Sequence, residues 1–257
     1  MRIVIKIGTS TLTHSTGLIN IRRVESLCKV MADLKNAGNE IILVSSGAIG
    51  MGTGKLSLNK KPDDIPTKQA AAAVGQCELM YIYDKIFTEH NHTVAQILLT
   101  GADVENSLRR QNFQNTLDRL LELGAIPIIN ENDTVVTDEI VIGDNDTLSA
   151  IVANVVKADL LIILSDIDGL FTADPHKDCN AKLIHKVCGI TSEIKAMTGS
   201  AVSKLGTGGM KTKLNAAALV TENGIDMVIA NGSNADILYD IVGGKEVGTR
   251  FYGKEIL

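Results

Sequence analysis

Two lysines carry the first chemical signal. Lys6 falls near the end of an apolar run, Met1–Ile7, directly before Gly8, Thr9 and Ser10. An ammonium group in such a run is costly unless it meets an anion, although a solvated strand-end lysine would read the same way. Lys213 falls in the first turn of a helical pattern that opens near Met210, just after Gly206, Thr207, Gly208 and Gly209. Glycines let a backbone turn successive N–H groups toward one point, and a helix N-terminus adds positive potential there. The competing reading of 206–213 is a flexible surface loop. It is not a Walker A loop, because GxxxxGK[ST] fails. The run Gly50 to Lys55 fails as well, with Ile49 where the first glycine belongs and Leu56 after the lysine, and neither stretch fits GxGxxG.

Short acids and amides form the second signal. Asn130-Glu131-Asn132-Asp133 follows a strand pattern, and Gly143-Asp144-Asn145-Asp146 immediately precedes a helical one. One of the latter must cap that helix, but two acids and an amide exceed what capping needs. Ser165-Asp166-Ile167-Asp168-Gly169, followed by Thr172 and Asp174-Pro175, suits a loop over a nucleotide or a plain Asp-Gly turn. Ser45-Ser46-Gly47 suits a ligand-lining turn or an ordinary one.

Phosphoryl transfer joins these parts for a physical reason. A carboxylate nucleophile with an ordinary pKa of ~4.3 is already ionised at neutral pH and needs no general base, and no His-based dyad is visible. The difficulty is bringing one anion against another while charge grows on the bridging oxygen. Lysines, Mg²⁺ and backbone amides answer that need by positioning and neutralisation.

The elements that must position these groups follow from periodicity. Strands are predicted over Met1–Ile7, Glu40–Val44, Val94–Leu99, Ile126–Ile129, Leu160–Leu164 and Met227–Ala230. Between them lie helical patterns: one capped by Asn20 and stopped by Gly38, then Thr67–His90, Ser107–Leu123 before Gly124, Leu148–Val156, and Met210–Asn223 before Gly224. Residues 132–141 suggest a hairpin outside this alternation, and 247–257 is expected simply to stop. Strands alternating with helices predict an α/β, three-layer αβα sandwich with a mostly parallel central sheet. In such sheets ligands gather at the carboxyl ends of the strands, where the polar clusters fall.

Composition sets the outer limits. The 257 residues are 45% hydrophobic, 21% charged and only 3% aromatic, with no Trp, so an aliphatic core is required. A formal charge of -5 gives no support to a nucleic-acid partner. Cys28, Cys77, Cys179 and Cys188 contain no CxxC pair and read as reduced, partly buried thiols. His90 and His92 lack a third metal ligand and read as a polar lead-in to a strand. No secretory signal or membrane span is apparent, which predicts a cytoplasmic protein without membrane partners.

The stretches VIKIGTS (4–10), VSSGAIG (44–50), KQAAAAVGQ (68–76), INENDTV (129–135), GDNDTLSA (143–150), SDIDGLFTADP (165–175) and GTGGMKTKL (206–214) resemble the amino-acid kinase superfamily. INEND followed by GDND is similar to its glutamate 5-kinase family in particular. The resemblance implies the amino-acid kinase fold in one domain over 1–257. The part to about 150 would bind glutamate, and the part from about 151 the nucleotide. It implies ATP-dependent phosphorylation of the side-chain carboxylate of L-glutamate, a reaction that opens proline synthesis. Lys6 and Lys213 would contact the migrating phosphoryl group, and Asp146 would orient both. Ser46, Asp133 and Asn145 would bind glutamate, with Asn130 and Asp144 lining the pocket. Ser165, Asp166 and Thr207, Gly208, Gly209, Met210, Lys211, Thr212 and Lys213 would contact ATP, whose phosphates bring Mg²⁺. Proline as a feedback inhibitor and a homodimer are further implications. Many members carry a C-terminal PUA domain, and the residues up to Leu257 hold none. The alternatives left open are N-acetylglutamate, aspartate or carbamate as acceptor, and a non-catalytic amino-acid sensor on the same fold.

Overall fold

Alternation along the first strand decides which layer each side chain enters. In β1 (Arg2–Ile7), Ile3, Ile5 and Ile7 belong to one buried cluster and Val4 to another, so Lys6 follows Val4 onto the second face. The computed structural model describes residues 1–14, 18–58, 60, 62–135, 144–175, 177–178, 180–196 and 209–254.

After β1 come α1 (Thr9–Leu12), α2 (Ile21–Asn36), β2 (Glu40–Ser45), α3 (Ala48–Lys55), α4 (Ile65–Glu89), β3 (Val94–Leu99), α5 (Gly101–Glu105), α6 (Ser107–Glu122) and β4 (Ile126–Glu131). The remainder is α7 (Asn145–Val155), β5 (Leu160–Ser165), β6 (Lys186–Val187), α8 (Ser192–Ala196), α9 (Met210–Thr221), β7 (Asp226–Asn231), α10 (Ile237–Val242) and β8 (Thr249–Phe251). Among the described residues the strands form one eight-stranded sheet in the order β3-β4-β2-β1-β5-β7-β8-β6. Every pairing is parallel except β7 with β8. The first cluster packs Ile3, Ile5 and Leu43 under Leu27 of α2, Leu79 of α4 and Leu238 of α10. The second packs Val4, Val44 and Ile163 under Leu117 of α6, Val152 of α7 and Ala217 of α9. Buried on both faces, β4 and β5 are apolar up to their polar last residues, as a parallel sheet demands.

The helix ends obey local rules. Asn20 Oδ1 accepts from Arg23 N at 3.1 Å, and Asp64 caps α4 by accepting from Thr67 N at 2.9 Å. Gly38, Gly124 and Gly224 follow α2, α6 and α9 at positive φ.

One segment corrects the sequence reading and another agrees with it. The tail does not simply stop: Thr249–Phe251 is β8, antiparallel to β7, with Thr249 and Phe251 fully buried. Three residues of alternation are too few to register as a strand pattern. The glycine-rich run rejected as a phosphate loop belongs to α3, which packs face to face on α4. A Cβ at Gly52 would lie 1.7 Å from Ala71 O, and one at Gly75 would lie 1.7 Å from Ala48 O. The glycines serve contact between helices. Of the expected hairpin, Asn132–Val135 begins with a turn, and 136–141 lies outside the described residues. Cys28 is buried, while Cys77 and Cys188 are exposed, and all three are free. Among the described residues, no helix is long and apolar enough to cross a membrane.

Candidate active site

Lys6, Asp146 and Lys213 meet in the layer above β1. Lys6 reaches it from β1, Asp146 from the first turn of α7 and Lys213 from the first turn of α9. Lys6 Nζ lies 2.7 Å from Asp146 Oδ1, and Lys213 Nζ lies 3.2 Å from Asp146 Oδ2. All three are buried, at 8%, 1% and 4% exposure for Lys6, Asp146 and Lys213. Thr212 Oγ1 also stands 2.7 Å from Asp146 Oδ2 and 2.8 Å from Gly209 O. Burial pushes the Asp146 carboxyl up, but the charges of Lys6 and Lys213, with hydrogen bonds from Lys6 and Thr212, outweigh it. The group is held below its ordinary range. Asp146 therefore stays ionised and pins two ammonium groups from opposite ends of the chain.

Three helices that follow this end of the sheet start at glycines. The N-caps of α1, α3 and α9 are Gly8, Gly47 and Gly209, and none carries a side-chain cap. Gly47 has φ +108°, a conformation that a side chain strains. Uncapped helix starts leave N–H donors and positive dipole ends available to anions.

Beside the lysines lies a network of amides. Asn145 Nδ2 donates to Ser46 Oγ at 2.7 Å, to Asn130 Oδ1 at 3.1 Å and to Ser45 O at 3.3 Å. Asn130 lies at the end of β4 on the face covered by α4. Asp133, just past that strand, is largely buried, and burial together with the nearby Glu131 pushes its carboxyl up to about 6.

The remaining expected residues are scattered around this core. Asp144 is the cap of α7, accepting from Thr147 N at 2.9 Å, so part of its hydrogen-bonding capacity is structural. Ser165 ends β5 and donates from Oγ to Asp166 Oδ1 at 3.1 Å, with Asp166 exposed. Met210 packs on the core beneath α9, and Lys211 points to solvent. Thr207 and Gly208 lie outside the described residues. His92 Nε2 stands 3.3 Å from Ala32 O, a structural contact. Sequence reasoning passed over Gln76 and Tyr83, both buried on α4 and both hydrogen-bonded into the amide network. The available signal was one amide at helical spacing between Ala72 and Leu79 on an apolar face.

Among the described residues no cluster of three or more His, Cys, Asp or Glu side chains is arranged to hold a metal ion. The oxygens of Asp146 are already engaged by lysines and Thr212. The described residues thus offer no preformed cage for a divalent cation.

A mostly parallel sheet with two lysines pinned on a carboxylate beside glycine-capped helix starts is the architecture of a phosphoryl-transfer enzyme. Residues 1–231 match the model of the amino acid kinase family, and the chain belongs to that family. It is 55% identical to the glutamate 5-kinase of Clostridium perfringens, over 99% of this chain and 96% of that protein. Among solved structures it resembles carbamate kinase from Giardia lamblia, with TM-score 0.69 and 16% identity over 98% of each chain. It also resembles isopentenyl phosphate kinase from T. acidophilum, with TM-score 0.67 and 16% identity over 98% of this chain and 100% of that one. Likeness at that identity concerns the fold alone.

Proposed function

We propose that this chain transfers the γ-phosphoryl group of ATP to the side-chain carboxylate of L-glutamate, giving L-glutamyl 5-phosphate at the start of proline synthesis. The observation that carries the reading is the convergence of Lys6 and Lys213 on Asp146. The 55% identity to a glutamate 5-kinase supports the choice of acceptor.

In this reading ATP lies over the start of α9 and near Ser165 and Asp166. Glutamate lies against Ser46, Asn145, Asn130 and Asp133. A carboxylate oxygen attacks the γ-phosphorus, the bond to the bridging oxygen breaks, and ADP leaves. No general base is required, because the nucleophile is already ionised. Lys6 and Lys213 neutralise the oxygens as charge redistributes, and Asp146 keeps both ammonium groups oriented before substrate arrives. Mg²⁺ would arrive bound to the ATP phosphates and neutralise part of their charge. The carboxylate of Asp133 suits the free α-ammonium of glutamate, which an N-acetylated substrate lacks. The reaction belongs in the cytoplasm, where ATP and free glutamate are at hand.

The test is ATP turnover with glutamate, N-acetylglutamate and aspartate side by side, the acyl phosphate being trapped as a hydroxamate. Turnover confined to glutamate is expected. Preference for either other acceptor overturns the assignment.

A further inference from the structure

The polarity of the amide network can be read without ambiguity. The backbone N–H of Glu131 is a donor by constitution, and it meets Asn130 Oδ1 at 2.9 Å. Asn130 Nδ2 is therefore the donating end of that side chain, and it lies 2.9 Å from Gln76 Oε1. Gln76 is 7% exposed and Asn130 2%. Among the described residues, two ends of the network have no partner: Gln76 Nε2, a buried donor, and Asn145 Oδ1, a buried acceptor. Leaving a buried amide N–H unpaired costs stability. An apolar side chain of the same length at 76 would avoid that cost, so the amide group is explained by the acceptor it offers Asn130.

A second contact ties the same helix to the same network. Seven residues along α4 from Gln76, and so on the same face, Tyr83 lies with its hydroxyl 2.8 Å from Ser45 Oγ. The bonds close a ring: Gln76 to Asn130 at the end of β4, Asn130 to Asn145 on α7, Asn145 to Ser45 and Ser46 at the end of β2, and Ser45 to Tyr83 on α4. The bonds of this ring run among Gln76, Asn130, Asn145, Ser45, Ser46 and Tyr83, while Lys6 and Lys213 are held by Asp146. The ring's output is the placement of Asn145, whose unpaired Oδ1 is an acceptor suited to an ammonium group.

We propose that Gln76 is a positioning residue for the amino-acid substrate, holding Asn130 so that Asn145 presents an acceptor to the α-ammonium of glutamate, with Tyr83 closing the ring from the same helix face. The proposal rests on glutamate being the acceptor.

Steady-state kinetics on purified Gln76→Met, Tyr83→Phe, Asn145→Ala and Gln76→Met/Asn145→Ala test it, beside wild type. Displacement of a binding group by a fraction of its correct geometry costs about tenfold or more. Gln76→Met is expected to raise KM for glutamate about tenfold or more, with KM for ATP and kcat within about threefold. Tyr83→Phe shifts the same constant in the same direction by a smaller factor. In the Asn145→Ala background Gln76→Met adds less than about twofold, because its effect runs through that residue. The thermal midpoint of Gln76→Met changes little, because the unpaired buried donor passes from Gln76 Nε2 to Asn130 Nδ2, so a rise in KM for glutamate is not the consequence of a loosened fold. An unchanged KM for glutamate, an equal rise in KM for ATP, or effects that multiply in the double variant overturns the proposal. Should Gln76→Met not fold, Tyr83→Phe decides, and an unchanged KM for glutamate there is refutation. Wild type that ignores glutamate brings down the functional reading and this inference together, while active wild type with an indifferent Gln76→Met sinks the inference alone.

Discussion

Asn145 and Asp146 are neighbours at the start of α7, yet their side chains serve different halves of the site. Asn145 turns to Ser46 and Asn130 at the ends of β2 and β4, and Asp146 turns to Lys6 and Lys213. In the proposed reaction, one helix start thereby sets the distance between the groups that would bind the acceptor and the ammonium groups that would meet the phosphate. Because proximity and alignment supply much of the rate in such a transfer, a rigid one-residue offset is a direct physical route to it.

Lys213→Ala removes charge stabilisation at the migrating phosphoryl group. The expected result is a fall in kcat of about 10²–10³ or more, with little change in KM for glutamate. Hydroxamate formation measures it. A variant within tenfold of wild type removes Lys213 from the mechanism.

Asp146→Asn leaves two buried ammonium groups without their shared counter-charge. Removing one partner of a buried ion pair costs about 3–5 kcal/mol. Urea unfolding should show a loss of that order, together with a fall in kcat as Lys6 and Lys213 lose their orientation. Full activity combined with unaltered stability would show that Asp146 does not organise the lysines.

Asp133 predicts opposite pH trends for binding and stability. Its carboxyl titrates at about 6 when folded, against an ordinary value of 3.8. Below the lower value it is protonated in both states. Between the two values the folded chain keeps a proton that the unfolded chain gives up. Above about 6 the folded state bears the full cost of the buried charge, on the order of 2–3 kcal/mol. Its contribution to stability thus declines as pH rises through this window. Glutamate binding improves over the same range, because the carboxylate attracts the α-ammonium. Asp133→Asn should be more stable than wild type at pH 8 and bind glutamate more weakly, with the pH dependence of KM near 6 removed. Persistence of that dependence in the variant would assign it elsewhere.

Gly75→Ala tests the contact of α3 with α4. The added methyl would lie 1.7 Å from Ala48 O, so the helices must separate. Strain of about 1–3 kcal/mol or more is expected, seen as a lowered thermal midpoint. KM for glutamate should rise as well, because Ser46 and Gly47 lead into α3. A variant with both values unchanged would contradict the close approach.

Much of the architecture was legible in the residues. The apolar runs of β1, β4 and β5, the helical spacing of α2 and α7 and the Asn20 cap depend on neighbours within a few positions. The short β8 and the glycine-rich α3 were not legible, because packing against distant partners stabilises them. Glycine, a poor helix former, is accepted in α3 because only glycine permits the approach to α4.

The site divides along the same line. That Lys6 ends an apolar run, that Lys213 opens a helix and that Asp144 to Asp146 precede another follow from order along the chain alone. That Lys6 faces the α7 and α9 layer follows from strand alternation, but which residues await it there required the tertiary structure. The resemblance implied that Asp146 orients both lysines, but only the fold showed the contacts themselves, assigned Asp144 to capping and drew Gln76 and Tyr83 into the amide network. Parallel strands joined by crossover helices bring residues distant in sequence to one edge of the sheet, and no local pattern records which of them arrive together.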